Sequence, residues 1–256
     1  MKPILFMIGP FHVFAFGFFL MMAFLLSSFL VYKYGREELQ EEALMDTFVY
    51  TVLFSLFGGR IFYILFHFEE FGANILKYLI VRDSPGLSLF GALGGGAVFL
   101  YFYTRRKKIS FFKTTDIFSV VASFGLSLVS LGMLLGGASY GLKTSLPWGV
   151  RVAGLAGKRH PAEAYFAVIF FILFLLLHRL YRGRLRKSTP GTLSILFLGS
   201  FSFSIFLLEF TRERSLYLYN LLSLNQLFSL IIFLLCLAPL FKFFLGRIKF
   251  NKKANI

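Results

Sequence analysis

Few ionisable residues of this chain fall within or against long apolar sequence, and those few are where chemistry would sit. Arg60 follows Gly58-Gly59 in the middle of the apolar run 46–68. A cation at bilayer depth costs roughly 2.5–3.5 kcal/mol or more unless it is paired or reached by water. Arg60 is therefore expected to face a pocket, with the two glycines letting a neighbouring helix or an anionic head group come close. Glu209 closes another apolar run and is followed by Arg212, Glu213 and Arg214. By itself that pattern reads as an exposed salt cluster at a helix end. Arg159-His160-Pro161 precedes a third run, and a proline there suits a first helical turn. Asp46 and Asp116 stand where two runs begin and read as helix caps.

Other chemistries find no support. His12, His67, His160 and His178 lie on different runs with no cysteine beside them, so they make no metal cluster. The serines of 127–130 and 200–204 lack a positioned histidine and acid, so no acyl-transfer triad is expected. The single cysteine, Cys236, can form no intramolecular disulfide and reads as packing within 230–240. No cofactor is implied. What residue chemistry predicts is a polar, arginine-containing cavity opening toward the outer leaflet.

The elements that must position these residues are seven apolar runs, at about 11–32, 46–68, 86–103, 116–142, 162–177, 192–210 and 219–245. Each approaches the roughly 20 residues that a helix needs to cross hydrocarbon. None alternates apolar and polar residues as a barrel strand does, so helices are expected. The fold class is therefore an all-α integral membrane protein. The runs do not recur with a fixed period, so residues 1–256 read as a single membrane domain. The amino terminus lacks a small-residue cleavage site, and no removable signal peptide is expected.

Hydrophobic residues make up 57% of the 256 and charged ones 15%, with 37 Phe, more apolar surface than a soluble domain buries. The net charge of +15 would point to nucleic acid in a soluble protein, but the basic residues gather at helix ends and none forms a groove-reading segment. No nucleic-acid partner is expected. Counted by alternate loops, seventeen Lys and Arg fall on one side and nine on the other, with Arg60 inside a run. The positive-inside rule makes the seventeen cytoplasmic, which puts the amino terminus outside and the carboxyl terminus inside.

The longest outside connection, 143–161, holds Pro147-Trp148, either an aromatic anchor at head-group level or a lip over a lipid-facing cavity. Gly91, Gly94, Gly95 and Gly96, and likewise Gly132, Gly136, Gly137 and Gly141, predict close helix packing on the third and fourth helices.

Several segments carry a resemblance in order and spacing. They are Ile8-Gly9-Pro10, Gly58-Gly59-Arg60-Ile61-Phe62-Tyr63, Leu87-Ser88-Leu89-Phe90-Gly91, the basic turn from Arg105 to Ser110, the stretch from Leu131-Gly132 to Tyr140-Gly141, Pro147-Trp148, Arg159-His160-Pro161 with Tyr165, Leu208-Glu209-Phe210-Thr211-Arg212 and Leu224-Asn225-Gln226. Together the chain resembles the prolipoprotein diacylglyceryl transferases, bacterial inner-membrane enzymes that lipidate lipobox cysteines. The resemblance implies seven transmembrane helices and an outside amino terminus. It also implies transfer of the diacylglyceryl group of phosphatidylglycerol to a thiol, with release of glycerol phosphate. Such a site must stabilise a departing phosphate with fixed cations and donors.

The positions at which the family places those donors are altered. Phe90 stands for the His of an HGG turn, while Ser130 and Met133 stand for the Arg and Asn of an Arg-x-x-Asn run. Gly136-Gly137-Ala138 replaces Asn-Gly-Glu, Phe16 a Tyr, and Ile205 a second Arg. Losing one preorganised donor typically costs about 3–4 kcal/mol of transition-state stabilisation. The matching polar residues that survive are Arg60, Tyr63, Arg159, His160, Glu209, Arg212 and Gln226, which the resemblance implies hold a phosphatidylglycerol-like lipid. The expectation is a non-catalytic relative that binds anionic phospholipid or a lipoprotein, or serves as a membrane-protein partner in an envelope complex. The alternative is an active transferase with a rearranged site built on Arg60, Arg159, His160 and Arg212. A channel or transporter would need a polar path that the third, fifth and seventh runs lack.

Overall fold

The computed structural model of the chain describes residues 3–9, 11–36, 41–71, 86–137, 139–152, 154–183, 189–213 and 221–254. The apolar runs form seven long helices: α1 (Ala15–Gly35), α2 (Glu41–Phe66), α3 (Leu89–Arg106), α4 (Phe111–Gly136), α5 (Ala162–Arg182), α6 (Thr192–Leu208) and α7 (Leu224–Ala254). Six of them are long and apolar enough to cross a membrane. The exception is α3, whose 18 residues include four glycines and end on Arg105 and Arg106. The all-α membrane architecture is as expected.

Several boundaries move. Residues ahead of α1 pair as an antiparallel hairpin of β1 (Ile4–Ile8) and β2 (Phe11–Phe14), so the first helix starts later than its apolar run. Gly9, in the left-handed region at φ 59°, makes the turn. Residues 219 and 220, where the seventh run was expected to begin, lie outside the described residues. Helix α4 begins at Phe111, which places Asp116 within it, and Asp46 likewise sits within α2. Neither caps its own helix as expected.

Contacts divide the chain into two compact units. In the unit of residues 31–114, α2 and α3 meet backbone to backbone. A Cβ on Gly58 would lie 2.6 Å from the Gly91 carbonyl oxygen and 2.8 Å from Gly95 Cα, so a side chain there would force the helices apart. Ser88 starts α3 by accepting the Gly91 N–H at 3.2 Å. Above the glycines, Phe54 stacks on Phe99 with centroids 4.4 Å apart.

The unit of residues 1–30 and 115–256 holds the larger core. Phe166, Phe170, Phe197 and Phe201 stack between α5 and α6. Cys236 is buried on α7, with its Cβ 3.5 Å from where a Cβ on Gly199 would sit. Gly132 lets α4 approach α1, since a Cβ there would come within 2.7 Å of Phe19 Cβ. Ser119, Ser123, Ser127 and Ser130 are buried along α4, and Ser127 Oγ donates to the Ala167 carbonyl of α5 at 2.9 Å. Asp116 reaches across to the start of α6. Its carboxylate accepts the Gly191 N–H at 2.7 Å, and the Ser194 N–H and hydroxyl at 2.8 Å each.

Candidate functional site

The connection from α4 to α5 folds as a small ribbon, and its geometry assembles the polar cluster. Gly149 closes a turn on Leu146 through its N–H, next to Pro147. Gly154 and Gly157 take left-handed backbone conformations at φ 81° and 85°. Across those turns β3 (Val150–Arg151) pairs antiparallel with β4 (Lys158–Arg159), while Lys143 pairs with Arg159 and Gly141 with Arg212. Gly141 permits this closeness because a Cβ there would lie 2.5 Å from the His160 carbonyl oxygen. The ribbon thereby brings Arg159 and His160 against the 3-10 turn Glu209–Thr211 that ends α6.

Five of the seven residues expected to bind lipid meet in this unit: Arg159, His160, Glu209, Arg212 and Gln226. The Arg212 guanidinium bonds Glu163 Oε1 and Ser139 Oγ, lies 3.7 Å from Glu209 Oε2 and sits over the Phe166 ring. Ser139 donates in turn to Glu163. Arg159 Nη1 donates to Glu213 at 2.8 Å and to the Gly141 carbonyl at 3.2 Å, and its guanidinium covers Tyr140. Glu209 Oε1 accepts from Asn225 Nδ2 at 3.0 Å and from Ser223 Oγ at 3.3 Å. Gln226 is fully buried, with its Oε1 accepting the Ser223 N–H and its Nε2 donating to the Phe206 carbonyl. His160 Nδ1 lies 3.3 Å from the Tyr165 hydroxyl, which also accepts the Trp148 indole N–H at 2.8 Å.

Glu209 is not part of an exposed salt cluster as expected. It is 4% exposed, because the 3-10 turn folds its carboxylate inward onto the first turn of α7. The cluster opposes the two guanidiniums of Arg159 and Arg212 with the three carboxylates of Glu163, Glu209 and Glu213. Each guanidinium thus has a carboxylate beside it that offsets its charge locally.

Arg60 and Tyr63 belong to the other unit. Arg60, 9% exposed, donates to the Gly86 carbonyl at 3.1 Å and lies over the Phe71 ring at 5.1 Å. Tyr63 stacks on His67 with centroids 4.1 Å apart and meets Phe71 edge-on. The two side chains thus frame the same aromatic ring. The glycines ahead of Arg60 admit helix α3 rather than leaving an opening.

Among the altered positions, Phe16 lies against Gly132 and Gly136, with its Cβ 3.3 Å from where a Cβ on Gly136 would be. Ser130 and Ile205 are buried, and Met133 is half-buried. Phe90 is buried within the unit of residues 31–114. Ala138 lies outside the described residues. None of these side chains carries a charge.

Sequence reasoning placed Glu209 and Glu213 in a salt cluster but missed Glu163 and Ser139, and missed that Glu213 pairs with Arg159 across elements. The one local signal was an acidic residue in the first turn of an otherwise apolar helix, where the helix dipole favours it. The Asp116 contact to α6 has no local signal at all.

Residues 3–242 match the family described as prolipoprotein diacylglyceryl transferase. A phosphatidylglycerol–prolipoprotein diacylglyceryl transferase of Geobacter sulfurreducens is 34% identical over 245 residues, covering 91% of this chain and 92% of its own. One from Pseudoalteromonas atlantica is 34% identical over 217 residues, with 82% and 75% covered. One from Finegoldia magna is 26% identical over 196 residues, with 77% of each chain covered.

Proposed function

The chain belongs to the prolipoprotein diacylglyceryl transferase family, and from that premise we propose that it is a non-catalytic member, keeping the family's fold to bind a phosphatidylglycerol-like phospholipid or a lipoprotein. One observation carries the reading. The surviving guanidiniums Arg159 and Arg212 are taken up by Glu213, Glu163 and Glu209, while Phe16, Ser130, Met133, Gly136 and Ile205 supply neither a cation nor an amide side chain. A diacylglyceryl transfer releases glycerol phosphate, and its transition state places charge where donors must already be aimed. To meet a phosphate, Arg159 would have to leave Glu213, and Arg212 would have to leave Glu163 and Glu209 as uncompensated buried charges.

Arg60 is the cation best suited to a lipid head group in this reading. It donates to the Gly86 carbonyl and lies over the Phe71 ring, inside a helix long and apolar enough to cross a membrane, where a cation calls for an anionic partner. As a multi-pass protein of the bacterial inner membrane, the chain would present its amino terminus outside and its carboxyl terminus to the cytoplasm. It could equally act through another membrane protein as a subunit of an envelope complex.

The relatives' names favour a second reading, that of a working phosphatidylglycerol–prolipoprotein diacylglyceryl transferase with a rearranged site. One experiment separates them. The purified full chain in phosphatidylglycerol-containing vesicles is given a lipobox peptide, and the peptide's mass is followed. No diacylglyceryl adduct is expected, nor rescue of a cell depleted of its own transferase. Robust adduct formation that disappears in Arg60→Ala would replace the first reading with the second. Phosphatidylglycerol that co-purifies with the chain should fall in the same variant.

A further inference from the structure

The ribbon between α4 and α5 carries charges that the buried cluster does not use. Arg151 and Lys158 are direct Cα partners across β3 and β4, so their side chains leave the same face. Both are exposed. Like charges directly opposite one another weaken a strand pair unless something negative lies between them. Around the ribbon, the carboxylates of Glu163, Glu209 and Glu213 are occupied by Arg212 and Arg159. Lys143, directly opposite Arg159 on the neighbouring segment, is exposed as well but leaves the other face of the ribbon.

Trp148 stands beside them at 57% exposure, with its indole N–H fixed on the Tyr165 hydroxyl in the first turn of α5. Its polar edge is therefore held while much of the ring is uncovered, an arrangement that suits the boundary between water and lipid. The ribbon's position agrees, because it joins two helices that are long and apolar enough to cross a membrane, Phe111–Gly136 and Ala162–Arg182.

We propose that this ribbon is an anionic-lipid docking surface, on which Arg151 and Lys158 share phospholipid head groups and Trp148 enters the bilayer boundary next to them. Charge complementarity selects the occupant. A cationic pair that meets no carboxylate among the described residues, set at the membrane edge, meets phosphate esters there at high local concentration. The proposal is independent of whether any transferase activity remains, because it uses none of the altered positions and neither Arg159 nor Arg212.

Trp148 is the only tryptophan of the chain, so intrinsic fluorescence reports on the ribbon alone. The full chain is placed in nanodiscs of phosphatidylcholine, or of phosphatidylcholine mixed with phosphatidylglycerol. The mixed discs are expected to shift emission to the blue and to make Trp148 about twofold less accessible to acrylamide. The double variant Arg151→Gln, Lys158→Gln should lose that difference, and Lys158→Arg should keep it. Lys158→Glu places a carboxylate opposite Arg151, so it should leave the ribbon folded and abolish the response to lipid. Emission that is equal in both discs, or a difference that survives in the double variant, would overturn the proposal. A blue shift produced in phosphatidylcholine discs by free glycerol phosphate would overturn it too, by making the ligand a soluble anion.

Discussion

Arg212 answers two buried carboxylates, Glu163 and Glu209, and shares Ser139 with the first. Its removal would leave both acids inside the protein with no cation among the described residues, the situation in which breaking a buried pair costs about 3–5 kcal/mol. Glu163→Gln keeps an oxygen that Ser139 and Arg212 can still donate to, so its cost should be nearer 1–2 kcal/mol. Thermal unfolding of the detergent-solubilised chain should rank Arg212→Ala well below Glu163→Gln, with wild type highest. Equal melting temperatures for the two variants would mean that Arg212 acts through Glu163 alone and that Glu209 gains nothing from it. These residues also mark what the sequence could convey. Arg159, His160, Glu209 and Arg212 stand in short recognisable segments, and their importance was readable from charge at the end of apolar runs. Which acid each base meets was not readable, since Glu163 lies 49 positions from Arg212 and Glu213 54 from Arg159.

At the scale of elements, α6 is started by a residue that is not its own. Gly191 precedes it in the left-handed region at φ 92° and offers no side chain to the first-turn N–H groups. Asp116 of α4 supplies the missing acceptor, binding Gly191 and Ser194 from across the helix pair. Asp116→Ala should therefore act on α6 rather than on α4. The expected loss is about 1–2 kcal/mol, and hydrogen exchange should rise at the amides of Gly191 and Ser194 while those of residues 117–123 stay protected. Faster exchange confined to α4 would contradict that assignment. The sequence misplaced this residue because Lys113 and the threonines after it look like a loop, whereas the helix already begins at Phe111. The glycines of α2 and α3 show the opposite case. Small residues at helical spacing predict close approach, and Gly58, Gly91 and Gly95 sit where a Cβ would collide with the facing backbone or side chains. Gly94, one residue away, has nothing within 4 Å, so composition alone could not tell which glycines the packing needs.

Over the whole molecule, the number of crossings and the sidedness of the termini are one question. An odd number of membrane crossings puts the two ends on opposite sides, and an even number puts them on the same side. Six helices meet the length and composition of a span, and α3 is the one in doubt by composition, with its four glycines and terminal Arg105 and Arg106. Those arginines fit a complete crossing better than a shallow insertion. They end the helix beside Lys107 and Lys108, a basic turn of the kind held in the cytoplasm, and the loop count that includes them is seventeen against nine. Arg159 and Arg212 belong to the smaller group and are already matched by carboxylates, but acids weigh little in that rule, so the asymmetry stands. Seven crossings are therefore expected, with the 139–161 ribbon outside and the Arg105–Lys108 turn inside. Cys236 is the only cysteine and is buried, so a Cys236→Ser background leaves engineered thiols as the sole targets. A thiol introduced by Ser145→Cys should react with an impermeant maleimide on intact spheroplasts, and one introduced by Lys107→Cys only after lysis. A fluorescent protein fused at the carboxyl end should light in the cytoplasm, while an amino-terminal tag should be open to external protease. Finding both termini on one side would reduce the crossings to six and turn α3 back at the membrane it enters.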